Sequence, residues 1–213
     1  MTLTERERTR LTALTLIEQP LWAQGLRVGG MDEVGRGPLA GPVVAACVIM
    51  PPEPLIPGIN DSKKVAKARR EKLARAIAEQ AVCYGVGLAT PREIDRINIL
   101  RATRLAMERA VGAMGVKPDR LLVDAVTDLQ IDIPTQSMVK GDAVSYCIAA
   151  ASILAKVVRD AMMARYDARY PGYGFGQHAG YGTRAHIDAL HELDKCPIHR
   201  DSFLTRILPD GPR

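Results

Sequence analysis

The sequence predicts an α/β fold, a sheet with helices packed on it and a helical C-terminal appendage. Three observations carry this. Two Val-, Gly- and Ile-rich runs, residues 26–34 and 42–50, flank a Gly/Pro turn at 35–41 and read as an opening hairpin. From residue 63 onward, stretches of helical period alternate with short apolar runs. Past residue 171 the chain becomes glycine- and histidine-rich before one last helical stretch. With 213 residues, 47% of them hydrophobic and 25% charged, the chain can bury a sizeable core. It divides by pattern into an N-terminal helical extension at 1–25, a main domain at 26–170 and a C-terminal helical region at 171–213.

Taken in order, residues 1–20 place Leu11, Leu14, Leu16 and Ile17 at helical spacing, an outer helix with no obvious chemistry. After the hairpin, a loop holding Pro51, Pro52, Pro54 and Pro57 leads through Asn60-Asp61-Ser62 into a helix at 63–80, with Ser62 as its N-cap. Residues 81–89 read as a strand, 91–114 as one long helix opened by Thr90-Pro91, and 120–126 as a buried strand containing Leu121-Leu122-Val123. A short strand at 135–139 precedes a helix at 143–169, and the last helix falls at 183–193.

No run of eighteen apolar residues occurs, and residues 1–10 are charged, so neither a membrane span nor a secretory signal is expected and the predicted location is cytoplasmic. Cys47, Cys83, Cys147 and Cys196 are widely spaced without a CxxC pair, which favours buried free thiols over zinc or redox work. A formal charge of +5 allows an anionic partner without demanding one. Monomer is the default oligomeric state.

The chemistry concentrates in a few acids. Asp32-Glu33 lies between Val28-Gly29-Gly30-Met31 and Val34-Gly35, an apolar setting that suits an idle acidic pair poorly. Asp124 ends the most apolar strand, where a carboxylate is costly unless ligated, paired or solvated. Asp142 follows Gly141 at a helix start, where an N-cap is the ordinary explanation. Convergence changes the reading: carboxylates meeting at one sheet edge can hold divalent cations, Mg²⁺ or Mn²⁺, as phosphoryl chemistry requires.

Gly35-Arg36-Gly37-Pro38-Leu39-Ala40 fits the dinucleotide fingerprint literally, but that motif should open a helix, whereas a strand follows here. A loop whose amides approach a sugar-phosphate backbone fits better. Asn60 to Lys64 puts amides at a helix start beside Lys67, Arg69 and Arg70, which read as a solvated basic face. Tyr173, Phe175 and Tyr181 lie on a glycine-rich stretch with His178, where aromatic rings either stack on bases or sugars or simply pack the loop.

Residues 31–42, Met-Asp-Glu-Val-Gly-Arg-Gly-Pro-Leu-Ala-Gly-Pro, resemble the signature of the ribonuclease HII family. Asn60-Asp61-Ser62-Lys63-Lys64, residues 93–100, Leu122-Val123-Asp124, Lys140-Gly141-Asp142, residues 149–160 and Gly180-Tyr181-Gly182-Thr183 resemble further segments in family order, so the likeness runs from residue 26 to 203. It implies a ribonuclease H-like fold with a mixed five-stranded sheet flanked by helices, and a C-terminal region that helps hold RNA/DNA hybrid. It implies that Asp32, Glu33, Asp124 and Asp142 bind two cations, that Gly35, Arg36 and Gly37 sense a ribose 2′-hydroxyl, and that Tyr181 packs against the next sugar, with Tyr173 a weaker candidate. Asn60, Ser62 and Lys63 become expected substrate contacts, whereas His178 and His199 match family histidines without an assigned catalytic role. The implied activity is metal-dependent hydrolysis of RNA in RNA/DNA hybrids and incision 5′ to ribonucleotides embedded in duplex DNA. The alternative is a non-catalytic nucleic-acid-binding module, which has no need of four acids repelling phosphate. Ala125 stands where many relatives carry glycine.

Overall fold

A computed structural model describes residues 4–208; residues 1–3 and 209–213, the outer ends of the expected extension and appendage, lie outside the described residues. The chain forms helices α1 (Glu5–Leu14) and α2 (Gln19–Trp22), then strands β1 (Val28–Val34) and β2 (Val43–Ile49). A 3-10 turn (Ser62–Lys64), α3 (Lys67–Gln80), β3 (Cys83–Ala89), α4 (Pro91–Ile97), α5 (Ile99–Gly112), β4 (Arg120–Asp124) and β5 (Thr135–Met138) follow. The last helices are α6 (Gly141–Val144), α7 (Tyr146–Arg169), α8 (Phe175–His178), α9 (Arg184–Leu193) and α10 (Asp201–Leu204).

The five strands make one mixed sheet in the order β3-β2-β1-β4-β5. The expected hairpin is there: β1 pairs antiparallel with β2, and β2 antiparallel with β3. On its other side β1 pairs parallel with β4, and β4 parallel with β5. β2 is buried along its whole length because both faces are covered. One face packs Met31, Ala45 and Cys47 against Ala102, Ala106 and Ala110 of α5; the other packs Ala46 and Val48 against α3 and α7.

Helix α7 fixes the site's geometry. Its stretch from Tyr146 to Ala155 is buried all round, as its apolar sequence requires. A Cβ on Gly30 would lie 2.0 Å from the Cys147 carbonyl carbon, and one on Gly35 would lie 2.2 Å from Arg159 Nε. Five strand residues span about 17 Å and twelve helical residues about 18 Å. Helix α7 therefore runs alongside β1 in the same direction, its backbone so close at position 30 that only glycine fits there.

Local chemistry departs from the sequence reading at several points. The expected helix at 91–114 is two helices, broken at Asn98, whose φ of 67° leaves the helical region while its side chain caps α5 through the Arg101 amide at 3.1 Å. The expected helix at 143–169 is likewise split, Ser145 capping α7 through the Ile148 amide. Ser62 does not cap α3; it is buried, and Asp61 caps the short 3-10 turn. Arg70 is not on a solvated face: it is buried and donates to the carbonyls of Ser62 at 2.7 Å and Val65 at 2.9 Å. Of the four free thiols only Cys47 and Cys147 are fully buried.

The two ends of the described chain are tied to the sheet. Glu18, fully buried, accepts hydrogen bonds from Ser145 Oγ at 2.5 Å and the Cys147 amide at 3.0 Å, at the start of α7. The C-terminal region shares a core with the loop after β1, Leu39, Ala40 and Met163 packing on Phe175, Leu190 and Ile198. A β-bridge joins Ala40 to His199. No helix among the described residues is long and apolar enough to cross a membrane.

Candidate active site

Parallel pairing of Met31 with Val123 brings the next residues, Asp32 and Asp124, side by side at the carboxyl ends of the two central strands. That edge is where open α/β sheets bind ligands. Asp124 Oδ1 accepts the Gly141 amide at 2.7 Å, which draws the start of α6, and with it Asp142, onto the same edge. Asp142 is therefore not the N-cap that its position suggested; Lys140 occupies that place and Asp142 lies inside the first turn.

The acids perturb one another. Burial pushes Asp32 well above the usual carboxylate range, and the charges of Glu33 and Asp124 add to it, while hydrogen bonds from Ser152 and the Glu33 amide oppose. Glu33 is raised by burial and by Asp124 against the pull of Arg36, whose Nη1 lies 3.4 Å from Glu33 Oε1. Asp142 is raised by burial and by the charges of Asp61 and Asp124, with Lys63 opposing. Raised carboxylates gathered on one edge store free energy that a cation releases.

Two participants escaped the sequence reading. Asp61 lies close enough for its charge to raise Asp142 and so belongs to the acidic group; it was legible as the lone acid in the Asn60–Lys64 stretch. Ser152 lies beside Asp32, and its Oγ is 2.8 Å from Ser62 Oγ. No local signal marks Ser152, because its partners lie 90 residues or more away. Ser62 thus has a buried structural partner, while Asn60 is half-buried and Lys63 exposed beside the acids.

These donors fit a divalent cation. Glu33 Oε2 is buried without a hydrogen-bond partner, a costly arrangement for a carboxylate unless a cation meets it. Among the described residues no three Asp, Glu, His or Cys side chains close around one point tightly enough to hold an ion alone. Hard cations that keep waters and take phosphate oxygens, such as Mg²⁺, suit such an open set of carboxylates better than ions needing a full protein cage.

The glycine loop lies next to the acids and is followed by β2 rather than a helix, which removes the dinucleotide reading. Gly35 is buried, whereas Arg36 and Gly37 are exposed. Tyr181 is 45% exposed, and its ring comes within 3.8 Å of where a Gly37 Cβ would stand. Tyr173 and Phe175 are instead buried and stacked 5.2 Å apart, and the Tyr173 hydroxyl donates to the Asp194 carbonyl at 2.8 Å, so neither presents a ring to a ligand. The histidines are structural: the Cys196 amide donates to His199 Nδ1 at 2.9 Å, leaving His199 Nε2 to donate to His186 Nε2 at 3.0 Å. His186 Nδ1 then donates to the Tyr181 carbonyl at 2.9 Å, fixing that tyrosine's backbone.

The family model described as Ribonuclease HII matches residues 29–206. A ribonuclease HII from Desulfitobacterium hafniense strain Y51 is 53% identical over 198 residues, 92% of this chain and 76% of that protein. One from Caldanaerobacter subterraneus subsp. tengcongensis is 50% identical over 205 residues, 96% of this chain and 85% of that protein. Among solved structures, ribonuclease H2 from Pyrococcus horikoshii OT3 superposes with a TM-score of 0.76 at 28% identity, over 87% of this chain and 98% of that one.

Proposed function

The chain belongs to the ribonuclease HII family and is a ribonuclease H, and from that premise we propose that it cuts the RNA strand of RNA/DNA hybrids and incises duplex DNA on the 5′ side of embedded ribonucleotides. Family membership sets aside the reading as a non-catalytic binding module. The observation that carries the proposal is the meeting of Asp32, Glu33, Asp124 and Asp142 at one sheet edge beside the exposed Arg36-Gly37 loop.

Asp32, Glu33, Asp124 and Asp142 would hold Mg²⁺ or Mn²⁺. Two such ions, when bound, supply an activated water and stabilise the leaving 3′ oxygen, giving 5′-phosphate and 3′-hydroxyl ends. Asp61 and Ser152 orient Asp142 and Asp32 for that task. Arg36 and Gly37 present amides to the ribose 2′-hydroxyl, and Tyr181, held by His186, packs on the adjoining sugar. Asn60 and Lys63 flank the acids as phosphate contacts, so affinity falls as salt rises.

The test is cleavage of a labelled DNA duplex carrying one ribonucleotide, with and without Mg²⁺ or Mn²⁺, beside an all-DNA control. A metal-dependent cut 5′ to the ribonucleotide, abolished in Asp124→Asn with hybrid binding retained, is expected. Normal cleavage by Asp124→Asn would refute the ligand assignment, and cutting of long hybrid alone would refute the junction specificity.

A further inference from the structure

Two arginines of this chain, Arg159 on α7 and Arg200 just before α10, are fully buried yet form no ion pair among the described residues. Burying unpaired guanidinium groups is costly, and Arg200 is pulled down to about 9 by burial and by the charge of Arg159. Six main-chain carbonyls offset that cost. Arg200 donates to Gly35 at 2.6 Å, Arg36 at 2.8 Å and Gly41 at 2.8 and 2.9 Å. Arg159 donates to Pro42 at 2.9 Å, Ala179 at 3.0 Å and Ala40 at 3.1 Å.

The consequence lies in the peptide plane. In a trans peptide the C=O of one residue and the N–H of the next point in opposite directions. Turning the Gly35 and Arg36 carbonyls inward onto Arg200 therefore turns the Arg36 and Gly37 amides outward. Those two residues are exposed, and no hydrogen bond among the described residues uses either amide. Gly35 itself, at φ 93°, admits no side chain because Arg159 packs against it.

We infer that Arg200 is a specificity-determining positioning residue: its planar fork aims the Arg36 and Gly37 amides at the substrate sugar and so sets the preference for ribose over deoxyribose. This rests on the proposed reading of the 35–37 loop as the ribose sensor. Lysine keeps the charge but cannot reach three carbonyls with a rigid fork.

The experiment measures binding of wild type and Arg200→Lys, with Ca²⁺ replacing the catalytic ion, to two duplexes of one sequence, all-DNA and carrying a single ribonucleotide. Wild type should prefer the ribonucleotide duplex, and Arg200→Lys should lose roughly 10-fold of that preference, the scale of misdirected neutral hydrogen bonds, with all-DNA affinity held within about 2-fold. A merely structural role lowers both affinities together and overturns the inference, as does an unchanged preference in a folded variant. Absence of any preference in wild type would instead sink the sensor reading. Should Arg200→Lys fail to fold, amide NMR of wild type decides: the Arg36 and Gly37 amides must exchange freely with solvent and shift with the ribonucleotide duplex but not with all-DNA, and protected or indifferent amides overturn the inference.

Discussion

Gly30→Ala is the sharpest probe of how the site is built. The new methyl carbon would stand 2.0 Å from the Cys147 carbonyl carbon, 2.2 Å from the Ile148 nitrogen and 2.4 Å from the Cys147 oxygen, all backbone atoms of α7. Carbon contacts settle near 3.5–4.0 Å, so helix and strand must separate by about 1.5 Å, and even a gap of 0.5–1 Å forfeits a quarter to a half of each dispersion contact it opens. Overpacking against movable side chains costs about 1–3 kcal/mol. Against main chain the cost is at or above the top of that range, less the 0.5–1 kcal/mol or so that replacing glycine returns through the unfolded chain. A net loss of about 3 kcal/mol lowers Tm by roughly 6–12 °C in a chain of this size. Gly112→Ala is the control, since nothing lies within 4 Å of its Cβ position; there the same change should be neutral or stabilising. Paired thermal melts read both. If Gly30→Ala melted within 2 °C or so of wild type, the close seating of α7 on β1 would be wrong.

Three other outcomes are expected. Without divalent ions, Asp32→Asn should melt a few degrees above wild type near neutral pH. The raised carboxylate makes the folded state hold its proton longer, so stability falls as pH rises from the unfolded value of about 3.9 through the folded one; adding Mg²⁺ should stabilise wild type more than the variant, and equal responses would speak against ligation. His199 is pulled down to about 4 by burial and by His186, so its contribution is complete above pH 6.5 and is lost as pH falls towards 4, at about 1.4 kcal/mol per pH unit and roughly 3 kcal/mol in all. A His199→Gln variant should show a flatter melting temperature across that window, and an unchanged slope would remove the histidine from the account. Ala125 sits at φ 49°, where a Cβ costs about 1–2 kcal/mol, so Ala125→Gly should be neutral or stabilising by up to about 1 kcal/mol in urea unfolding, whereas Ala125→Val should destabilise.

That left-handed φ is also the physical content of the departure at position 125, where sequence comparison alone registered only an unusual alanine. Strands and hairpin were legible because short apolar, β-branched runs survive in one dimension; Asp32-Glu33 was conspicuous for its apolar and glycine flanks, whereas Asp124 and Asp142, each with an ordinary local explanation, were picked out by the family resemblance. Helical period, by contrast, is blind to a single residue that breaks a helix without breaking the pattern, as Asn98 and Ser145 do. Roles set by distant partners were invisible: Ser152 acquires meaning only beside Asp32 and Ser62, and Arg70, basic among basic neighbours, only once Asp160, 90 residues on, stands beside it. Tyr173 and Tyr181 sit in similar glycine-rich surroundings, yet one hydroxyl finds the Asp194 carbonyl and its ring is buried while the other ring stays open.

Glu18 carries a consequence for the order of events during synthesis. Its acceptor oxygen waits for Ser145 and Cys147, which follow it by 127 and 129 residues. At about 5–20 residues per second, the ribosome needs roughly 6–25 s to deliver them. Throughout that interval Leu11 and Leu14 can already pack on Val48, Met50 and Ile59, but the Glu18 carboxylate has neither of its donors, and the sheet's central strand, made early, stays bare of the helix that will cover it. The burial of Glu18 is therefore completed only after about two thirds of the chain has been made.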